Sequence, residues 1–343
     1  MRLHLMKAIE VLKPGEITIV ERPIPACGEN EVLIKVKAAG ICGSDVHIYH
    51  GKNAFATYPR VVGHEFVGKI VTAGVNVKNL LVGDRVAVDP VMACGHCYAC
   101  RIGRHNVCKN LKVLGVHQDG GYQEYIAVKS ENVYKIPQHI SWEIASLIEP
   151  YTIAAQVLER GRLTADDQVL ICGAGPIGLI ILQAVKMVGA KAAIMDVLAA
   201  RLNRAKEMGA DLVIDASSSD VTEEMMTFTN QEGASLIYEA TGNIKVLEEC
   251  ITKIASPAGR VVVLGFSTEL VQIPQVAIMS RELEIIGTRL NRGKFPQVIE
   301  WFEKGLVQPE KVLTHTFRVY DAKKAFTFMD TNPAEVCKIV LTF

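Results

Sequence analysis

The sequence predicts an α/β protein with two domains, one mainly β and the other a doubly wound parallel sheet. Three observations support this fold class. The first part of the chain alternates short apolar segments with turn residues. From about residue 150, strand-like segments alternate with amphipathic segments of helical length. The length of 343 residues also suits two domains of ordinary size.

The first part of the chain has the pattern of an antiparallel β barrel or sandwich. Apolar and polar residues alternate in several short segments, at residues 31–38, 66–72, 85–88 and 125–128. Pairs such as Gly83-Asp84 and Gly120-Gly121 separate these segments and are typical of tight turns. Several short strands with turn signals between them favour an all-β domain.

The second part of the chain has the pattern of a parallel sheet. Its six strand-like segments are residues 168–172, 192–195, 212–214, 236–239, 261–264 and 283–286. Amphipathic segments, such as 198–208 and 245–254, lie between them and predict helices on the faces of the sheet. After residue 288, a helical segment at 295–303 and a last strand at 338–343 predict a return to the first domain.

The composition excludes several classes of function. The 37 basic and 37 acidic residues balance, so the chain lacks the basic excess that nucleic-acid binding requires. The first seven residues contain no apolar core of signal-peptide length. Long apolar runs, such as residues 177–188, are too short and too interrupted to cross a bilayer. We therefore expect a cytoplasmic protein with no membrane or nucleic-acid partner.

A glycine-rich turn follows the first strand of the second part. The segment 168–172 runs directly into a G-x-G-x-x-G pattern and then into a helical segment. Glycines permit a tight turn and close backbone approach, so a pyrophosphate can lie at the helix N-terminus. This context favours a Rossmann dinucleotide site over an ordinary tight turn. The candidate cofactor-binding residues are Gly173, Gly175, Pro176, Ile177 and Gly178.

An acidic residue ends the next predicted strand. Asp196 lies eighteen residues after Gly178, where a carboxylate can bind both ribose hydroxyls of NAD and would repel the 2′-phosphate of NADP. Arg201 follows closely and could weaken this discrimination. We therefore expect a site that prefers NAD.

Four cysteines occur within fifteen positions, in a segment we call the zinc lobe (residues 92–110). They are Cys94, Cys97, Cys100 and Cys108. In a reducing compartment such a cluster indicates a metal site rather than disulfides. Four thiolates close a tetrahedron around zinc and leave no open position, which is typical of a structural site. Spacing alone leaves an iron–sulfur cluster as the alternative.

A second set of candidate ligands is dispersed over three segments. Cys42 lies in Cys-Gly-Ser-Asp-x-His, His64 lies in Gly-His-Glu, and Glu149 precedes a proline. A thiolate, an imidazole and a carboxylate can hold zinc and leave a position open for catalysis. Taken singly, each residue also has an ordinary explanation as core filler, buried histidine or surface charge.

These features together resemble the zinc-containing medium-chain dehydrogenase/reductase family over nearly the whole chain. The signature stretch reads Gly63-His64-Glu65-x-x-Gly68-x5-Gly74. Within the family, the chain is similar to the polyol (sorbitol) dehydrogenase branch, where a glutamate replaces the cysteine ligand of classical alcohol dehydrogenases. Glu149 holds that position. Residues 114–117, 119–121, 148–150 and 289–291 are similar to segments of L-galactonate and L-gulonate 5-dehydrogenases.

The resemblance implies a GroES-like catalytic domain split around a Rossmann domain. The expected boundaries are 1–152 and 289–343 for the catalytic domain and 153–288 for the NAD-binding domain. The resemblance also implies two Zn²⁺ ions per chain, NAD as cofactor, and a homodimer or homotetramer.

The resemblance assigns catalytic roles to the dispersed set. Cys42, His64 and Glu149 are expected at the catalytic zinc, and Glu65 lies beside the metal in related enzymes, so both carboxylates are candidate ligands. A proton relay is expected from Ser44, through the ribose hydroxyls, to His47. Further residues align with cofactor-facing positions of the family. They are Thr152, Thr241, Leu264 and Gly265.

The expected activity is oxidation of a secondary alcohol on a sugar acid or polyol, as in L-galactonate or L-gulonate 5-dehydrogenase. Four residues fall where the branch builds its substrate pocket: His117, Arg289, Asn291 and Arg292. The guanidinium groups of the two arginines could bind a sugar-acid carboxylate through paired N–H groups. They could instead bind cofactor phosphate or face solvent. The alternatives are an L-threonine 3-dehydrogenase-like activity and a non-catalytic regulatory protein on the same fold.

Overall fold

The structure is a computed structural model that describes residues 5–343. The strands are β1 (Leu5–Lys13), β2 (Glu16–Pro23), β3 (Glu31–Gly40), β4 (Arg60–Val61), β5 (Glu65–Ala73), β6 (Arg85–Val88), β7 (Val91–Met92), β8 (Lys112–Val113), β9 (Tyr125–Lys129), β10 (Val133–Lys135), β11 (Gln168–Cys172), β12 (Lys191–Asp196), β13 (Leu212–Asp215), β14 (Ala234–Glu239), β15 (Ala255–Val263), β16 (Glu284–Gly287), β17 (Leu313–Arg318) and β18 (Lys338–Thr342). The expectation of no leader rested partly on residues 1–4, which lie outside the described residues.

Helices connect and flank these strands. The α-helices are α1 (Gly43–Tyr49), α2 (Tyr98–Arg101), α3 (Trp142–Ala145), α4 (Ile148–Gly161), α5 (Pro176–Val188), α6 (Ala199–Glu207), α7 (Val221–Phe228), α8 (Ile244–Glu249), α9 (Gln275–Met279), α10 (Phe295–Glu303) and α11 (Ala322–Thr331). Among the described residues, none of these helices combines the length and apolar character needed to span a membrane.

The chain divides into two compact units. The first contains the described residues up to Pro150 together with Arg292–Gly305 and Leu313–Phe343, and the second contains Tyr151–Asn291 and Leu306–Val312. The predicted boundaries, after residues 152 and 288, lie close to two of these divisions. The return of Leu306–Val312 to the second unit was not predicted.

A pair of hydrogen bonds explains that return. The side-chain oxygen of Gln183 in α5 accepts from the backbone N–H of Gln308 at 2.8 Å. The amide nitrogen of Gln183 donates to the backbone carbonyl of Gln308 at 3.0 Å. Both backbone groups of Gln308 are thus satisfied by one side chain, which ties the short segment to the second unit.

The first unit is mainly β, as predicted. Its largest sheet has the strand order β10-β6-β5-β3-β18-β17, and β9 also pairs with β3. Most neighbours are antiparallel, although β17 and β18 are parallel. A second sheet has the order β2-β1-β4. Gly40, the last residue of β3, lies opposite Glu65 on one side and Val340 on the other, which brings β5 and the C-terminal strand together.

The second unit contains the predicted doubly wound sheet. All six strands are parallel, in the order β13-β12-β11-β14-β15-β16. Consecutive residues Val169, Leu170 and Ile171 of β11 are all fully buried. Because neighbouring residues of a strand face opposite ways, both faces of the sheet are covered. The strand order reverses between β11 and β14, where ligands bind in such sheets.

One predicted helix of this unit differs in form. The sequence predicts a continuous helix over residues 245–254. The structure has α8 over the first part and a π-helical turn, Cys250–Ile254, over the second. Arg281 explains why the turn is stable there, because its guanidinium donates to the backbone carbonyls of Ile251 and Ala255.

Candidate zinc and cofactor sites

Four cysteine thiols converge in the zinc lobe of the first unit. Their sulfur atoms all lie within 4.8 Å of one another. The Sγ–Sγ distance is 3.5 Å between Cys97 and Cys100 and 3.8 Å between Cys97 and Cys108. A tetrahedron with Zn–S bonds of about 2.3 Å has edges of about 3.8 Å. The four sulfurs, including that of Cys94, therefore fit a closed zinc site.

Backbone N–H groups in the zinc lobe favour the thiolate form. The N–H of Cys94 donates to Sγ of Cys108 at 3.3 Å. The backbone N–H groups of Lys109 and Cys100 lower the pKa of Cys97 to about 6, because hydrogen bonds to a charged sulfur stabilise it. The thiolate is the form that binds metal. The geometry of the four sulfurs and the lowered pKa of Cys97 thus fit a structural zinc, and burial with the neighbouring thiols raises the pKa of Cys100 to about 12.

A second group of candidate ligands comprises Cys42, His64 and Glu65. Cys42 is the N-cap residue of α1, His64 precedes β5, and Glu65 is the first residue of that strand. Ligand atoms of the three side chains lie within 4.8 Å of one another. Thiolate, imidazole and carboxylate from three positions are a zinc set that leaves a coordination position open.

Asp45 contacts two of these candidate ligands, Cys42 and His64. It is fully buried, and its Oδ2 accepts from the backbone N–H of Cys42 at 2.9 Å. Its Oδ1 accepts from the N–H of Gly63 at 3.1 Å and lies 3.5 Å from Nδ1 of His64, which leaves Nε2 for a metal. Burial lowers the pKa of His64, but the negative charges of Asp45 and Cys42 outweigh this effect and raise it well above its usual value.

Glu65 forms a buried ion pair with Lys338 of β18. Lys338 Nζ lies 2.6 Å from Oε1 of Glu65, and the two side chains are 4% and 1% exposed. Burial lowers the pKa of Lys338, but the charges of Glu65 and Cys42 raise it overall. The other carboxylate oxygen, Oε2, is buried and has no hydrogen-bond partner among the described residues. A metal held with Cys42 and His64 would satisfy that oxygen, so the donor set fits zinc.

Glu149 is a second buried carboxylate close to this group. It lies in the first turn of α4 and is 5% exposed. Burial raises its pKa to about 8; the charge of His64 opposes this shift and that of Glu65 adds to it. Glu149 does not belong to the group of ligand atoms within 4.8 Å found among the described residues. The structure therefore places Glu65, rather than Glu149, with Cys42 and His64.

The two predicted relay residues share one face of α1. Ser44 is half-buried and His47 is exposed. Residues three apart on a helix are neighbours on its surface, so both side chains project from the same side.

The glycine turn of the second unit has the geometry that its sequence predicts. Gly173 has φ +99°, which favours glycine. A Cβ at Gly178 would lie 1.8 Å from the carbonyl oxygen of Gly173, so only glycine fits there. Gly175, the N-cap residue of α5, has open space where a Cβ would be, and Pro176 and Ile177 begin the helix. Gly173 thus permits the turn and Gly178 the close packing of α5, and the open space at Gly175 would leave room for a ligand to approach the backbone.

Asp196 is fixed beside this turn. It ends β12 and is 8% exposed. Its Oδ2 accepts from the backbone N–H of Ala174 at 2.8 Å, and its Oδ1 accepts from the N–H of Val197 at 2.9 Å. Nη1 of Arg201 lies 3.6 Å from Oδ2. The guanidinium therefore partly balances the carboxylate that the sequence predicts to select NAD.

Most of the other predicted cofactor residues adjoin a buried carboxylate, Glu239, at the end of β14. The side chain of Glu239 accepts from the backbone N–H of Thr241 at 2.7 Å and also from the Thr241 hydroxyl. Its backbone carbonyl accepts from the N–H groups of Leu264 and Gly265 at 2.8 and 3.0 Å. Thr152 is fully buried in α4.

The predicted substrate residues fall in both units. His117 and Arg292 belong to the first unit, whereas Arg289 and Asn291 belong to the second. Nδ1 of His117 accepts from the backbone N–H of Val113 at 3.1 Å, so the neutral ring carries its proton on Nε2. Arg289 is exposed and Asn291 is fully buried.

Comparison with protein families identifies the chain's relatives. The alcohol dehydrogenase GroES-like domain matches residues 28–138, and the zinc-binding dehydrogenase domain matches residues 176–304. The chain belongs to the zinc-binding dehydrogenase family. The predicted family, the predicted fold and the prediction of a dehydrogenase are thereby confirmed.

Individual members of this dehydrogenase family match almost end to end. The starvation-sensing protein RspB of Escherichia coli K12 is 48% identical over 98% of this chain and 99% of its own length. The solved structure of rspB from E. coli CFT073, complexed with NADH, superposes with a TM-score of 0.94 at 45% identity, covering 99% of each chain. L-galactonate-5-dehydrogenase of E. coli K12 is 34% identical over 99% of this chain and 100% of its own. L-threonine 3-dehydrogenase of Pyrococcus furiosus is 36% identical over 94% and 95%.

Three residues at the candidate sites of this dehydrogenase were not assigned roles from the sequence. Asp45 lies within the Cys42 motif, and its helix-capping position was the available signal. Lys338 is a lone charge at the start of an apolar closing strand, a weak sign of a buried partner. Glu239 ends a buried strand just before Thr241. Only the fold reveals what each side chain contacts.

Proposed function

We propose that this zinc-binding dehydrogenase uses NAD to oxidise a secondary alcohol of a sugar acid or polyol. The observation that carries the proposal is the convergence of Cys42, His64 and Glu65, with a buried carboxylate oxygen that lacks a hydrogen-bond partner among the described residues. The glycine turn and Asp196 of the second unit support the choice of NAD.

The chain offers one closed and one open zinc site. The zinc lobe would hold a structural ion, and Cys42, His64 and a carboxylate would hold the catalytic one. Bound zinc would supply the Lewis acidity that lowers the pKa of a substrate hydroxyl, and bound NAD would supply the hydride acceptor. Asp45 keeps Cys42 and His64 oriented through its hydrogen bond and its close contact.

Ser44 and His47 carry the released proton in this proposal. The hydroxyl of Ser44 accepts the proton from the substrate side as it gives its own proton up towards His47, and the exposed imidazole of His47 releases a proton to solvent. We expect His47→Asn to slow turnover, and imidazole buffer to restore part of the loss. Unchanged turnover of His47→Asn at low buffer concentration would show that His47 is not part of the relay.

The preference for sugar acids rests on similarity and on charge. The relative that acts on L-galactonate matches the chain end to end. Arg289 and Arg292 could bind a carboxylate through paired N–H groups. We expect Arg289→Ala and Arg292→Ala to raise KM for hexonates but not for neutral polyols. If both variants leave KM for hexonates unchanged, the carboxylate clamp is wrong.

An NAD-coupled screen tests the proposed activity directly. Purified, zinc-loaded protein is given hexonates, polyols and amino alcohols, and NADH absorbance is followed. Turnover of hexonates or polyols supports the proposal. Turnover of L-threonine alone would favour the second candidate, an L-threonine 3-dehydrogenase-like activity. The similarity to L-threonine 3-dehydrogenase supports this candidate.

Metal analysis separates an enzyme from a regulatory protein on the same fold. We expect Cys42→Ser to lose one of two zinc ions per chain together with all turnover. If the native protein binds two zinc ions but reduces NAD with none of the screened compounds, the regulatory alternative is favoured.

We further propose that the protein is a homodimer or homotetramer. Strand β16 is one of the two edge strands of the six-stranded sheet, and Ile285 on it is 40% exposed. Val276 and Met279 of α9 are 61% and 68% exposed. A strand at the edge of a sheet and exposed apolar side chains are each suited to pairing with a second copy. Sedimentation analysis of the native protein and of Ile285→Lys tests this, and a monomeric native protein would contradict it.

A further inference from the structure

A glycine lets Glu65 and Lys338 meet across a strand. Gly40 lies directly opposite Glu65 on β5 and opposite Val340 on β18. Directly opposed residues share a sheet face, and Lys338, two residues before Val340, shares that face too. A Cβ at Gly40 would lie 2.1 Å from Oε2 of Glu65. The carboxylate therefore occupies the space above β3 that a side chain at position 40 would fill.

The two oxygens of Glu65 have different surroundings. Oε1 is 2.6 Å from Nζ of Lys338, in an ion pair almost wholly shielded from solvent. Oε2 is buried and makes no hydrogen bond within the described part of the chain. The ligand atoms of Cys42 and His64 lie within 4.8 Å of a carboxylate oxygen of Glu65. One oxygen is thus held by a cation, and the other remains for a metal.

We infer that Lys338 is a positioning residue that makes Glu65 a one-oxygen ligand of the catalytic metal. A carboxylate can bind a metal through one oxygen or through both. The ammonium group of Lys338 holds Oε1, so Glu65 offers only Oε2 and the substrate position stays open. This inference rests on the proposed function, in which Cys42, His64 and a carboxylate hold zinc.

Cobalt can be exchanged into the site formed by Cys42, His64 and Glu65 (the Cys42 site), with zinc kept in the zinc lobe. The spectrum of the bound cobalt then reports its coordination number. Four-coordinate cobalt absorbs visible light much more strongly than five-coordinate cobalt. We expect the native protein to show the intense four-coordinate spectrum and Lys338→Met to lose it, because both oxygens of Glu65 can then bind. Turnover should fall, and KM for NAD should not change.

A double variant separates metal geometry from folding. Glu65→Gln combined with Lys338→Met removes both buried charges, and an amide offers the metal only one oxygen. We expect this variant to regain the four-coordinate spectrum. Lys324→Met, which removes an exposed ion pair with Asp321, is the matched control and should keep the native spectrum. A Lys338→Met spectrum identical to the native one would overturn the inference.

X-ray absorption on the native protein gives a readout that does not depend on any variant folding. The expected result is a single carboxylate oxygen at bonding distance from cobalt. Two such oxygens would overturn the inference even if Lys338→Met cannot be purified. If the native protein binds only the metal of the zinc lobe, the proposed function itself fails. If it binds two metals and turns over while Lys338→Met looks native, only the role of Lys338 fails.

Discussion

Glu239 accepts two hydrogen bonds from Thr241 through a single oxygen, from the backbone N–H and from the hydroxyl. The Thr241 methyl group faces the glycine turn, because a Cβ at Gly173 would lie 3.2 Å from it. The same oxygen of Glu239 also accepts from the backbone N–H of Gly242 at 3.0 Å. One buried carboxylate therefore fixes the residue that packs against the first glycine of the turn.

We expect Glu239→Ala to raise KM for NAD about tenfold and to change kcat much less, since a hydrogen bond to a charged group contributes roughly 1.5 kcal/mol. Steady-state kinetics with NAD varied measures the effect. Glu232→Ala removes an exposed carboxylate of the same unit and is the control. An unchanged KM for NAD would show that the turn keeps its shape without Glu239.

Gly178 and Gly175 should respond differently to alanine. A Cβ at Gly178 meets the backbone of Gly173, whereas a Cβ at Gly175 meets nothing within 4 Å. We expect Gly178→Ala to lower the free energy of unfolding by about 1–3 kcal/mol, the usual cost of overpacking. Gly175→Ala should keep native stability but bind NADH more weakly. Denaturant unfolding and NADH fluorescence titration distinguish the two; equal stabilities would contradict the steric argument.

Asp196 and Arg201 should shift cofactor preference in opposite directions. Arg201 Nη1 lies 3.6 Å from the Asp196 carboxylate and partly balances its charge. We expect Asp196→Ala to lower the ratio of kcat/KM for NAD to that for NADP, because the repulsion of the 2′-phosphate is lost. Arg201→Ala should raise the ratio. A ratio that moves the same way in both variants would refute this reading of the pair.

A substitution in the zinc lobe should remove the metal of that lobe and leave the metal of the Cys42 site in place. We expect Cys100→Ser to reduce zinc from two ions to one per chain and to lower the melting temperature, because a structural zinc stabilises the folded state. Elemental analysis and thermal unfolding measure both effects. Cys27→Ser, outside both groups, should keep two zinc ions. Full zinc content in Cys100→Ser would mean that three thiolates suffice.

The sequence predicted those parts of the structure that local pattern determines. The glycine turn, the parallel strands and the four-cysteine cluster each lie in a short stretch whose spacing has one main physical explanation. The strand at 168–172 coincides with β11 for this reason. The Cys42 group was predicted only through family resemblance, because its ligands come from separate segments.

Long-range contacts explain what the sequence could not predict. Lys338 meets Glu65 because β18 and β5 flank β3, a pairing between residues far apart in the chain. The sequence also could not decide between Glu65 and Glu149, since both are acidic and both align with family positions. The structure adds side-chain distances, which place Glu65 within 4.8 Å of the ligand atoms of Cys42 and His64.

The chain passes between its two units at residues 150/151, 291/292, 305/306 and 312/313. Neither unit is therefore a single continuous length of polypeptide. A gene fusion that transplants one contiguous segment cannot move either unit without also moving part of the other, and a truncation before Leu313 removes two strands of the first unit's main sheet. Exchange of the second unit alone between relatives would require several coordinated crossovers.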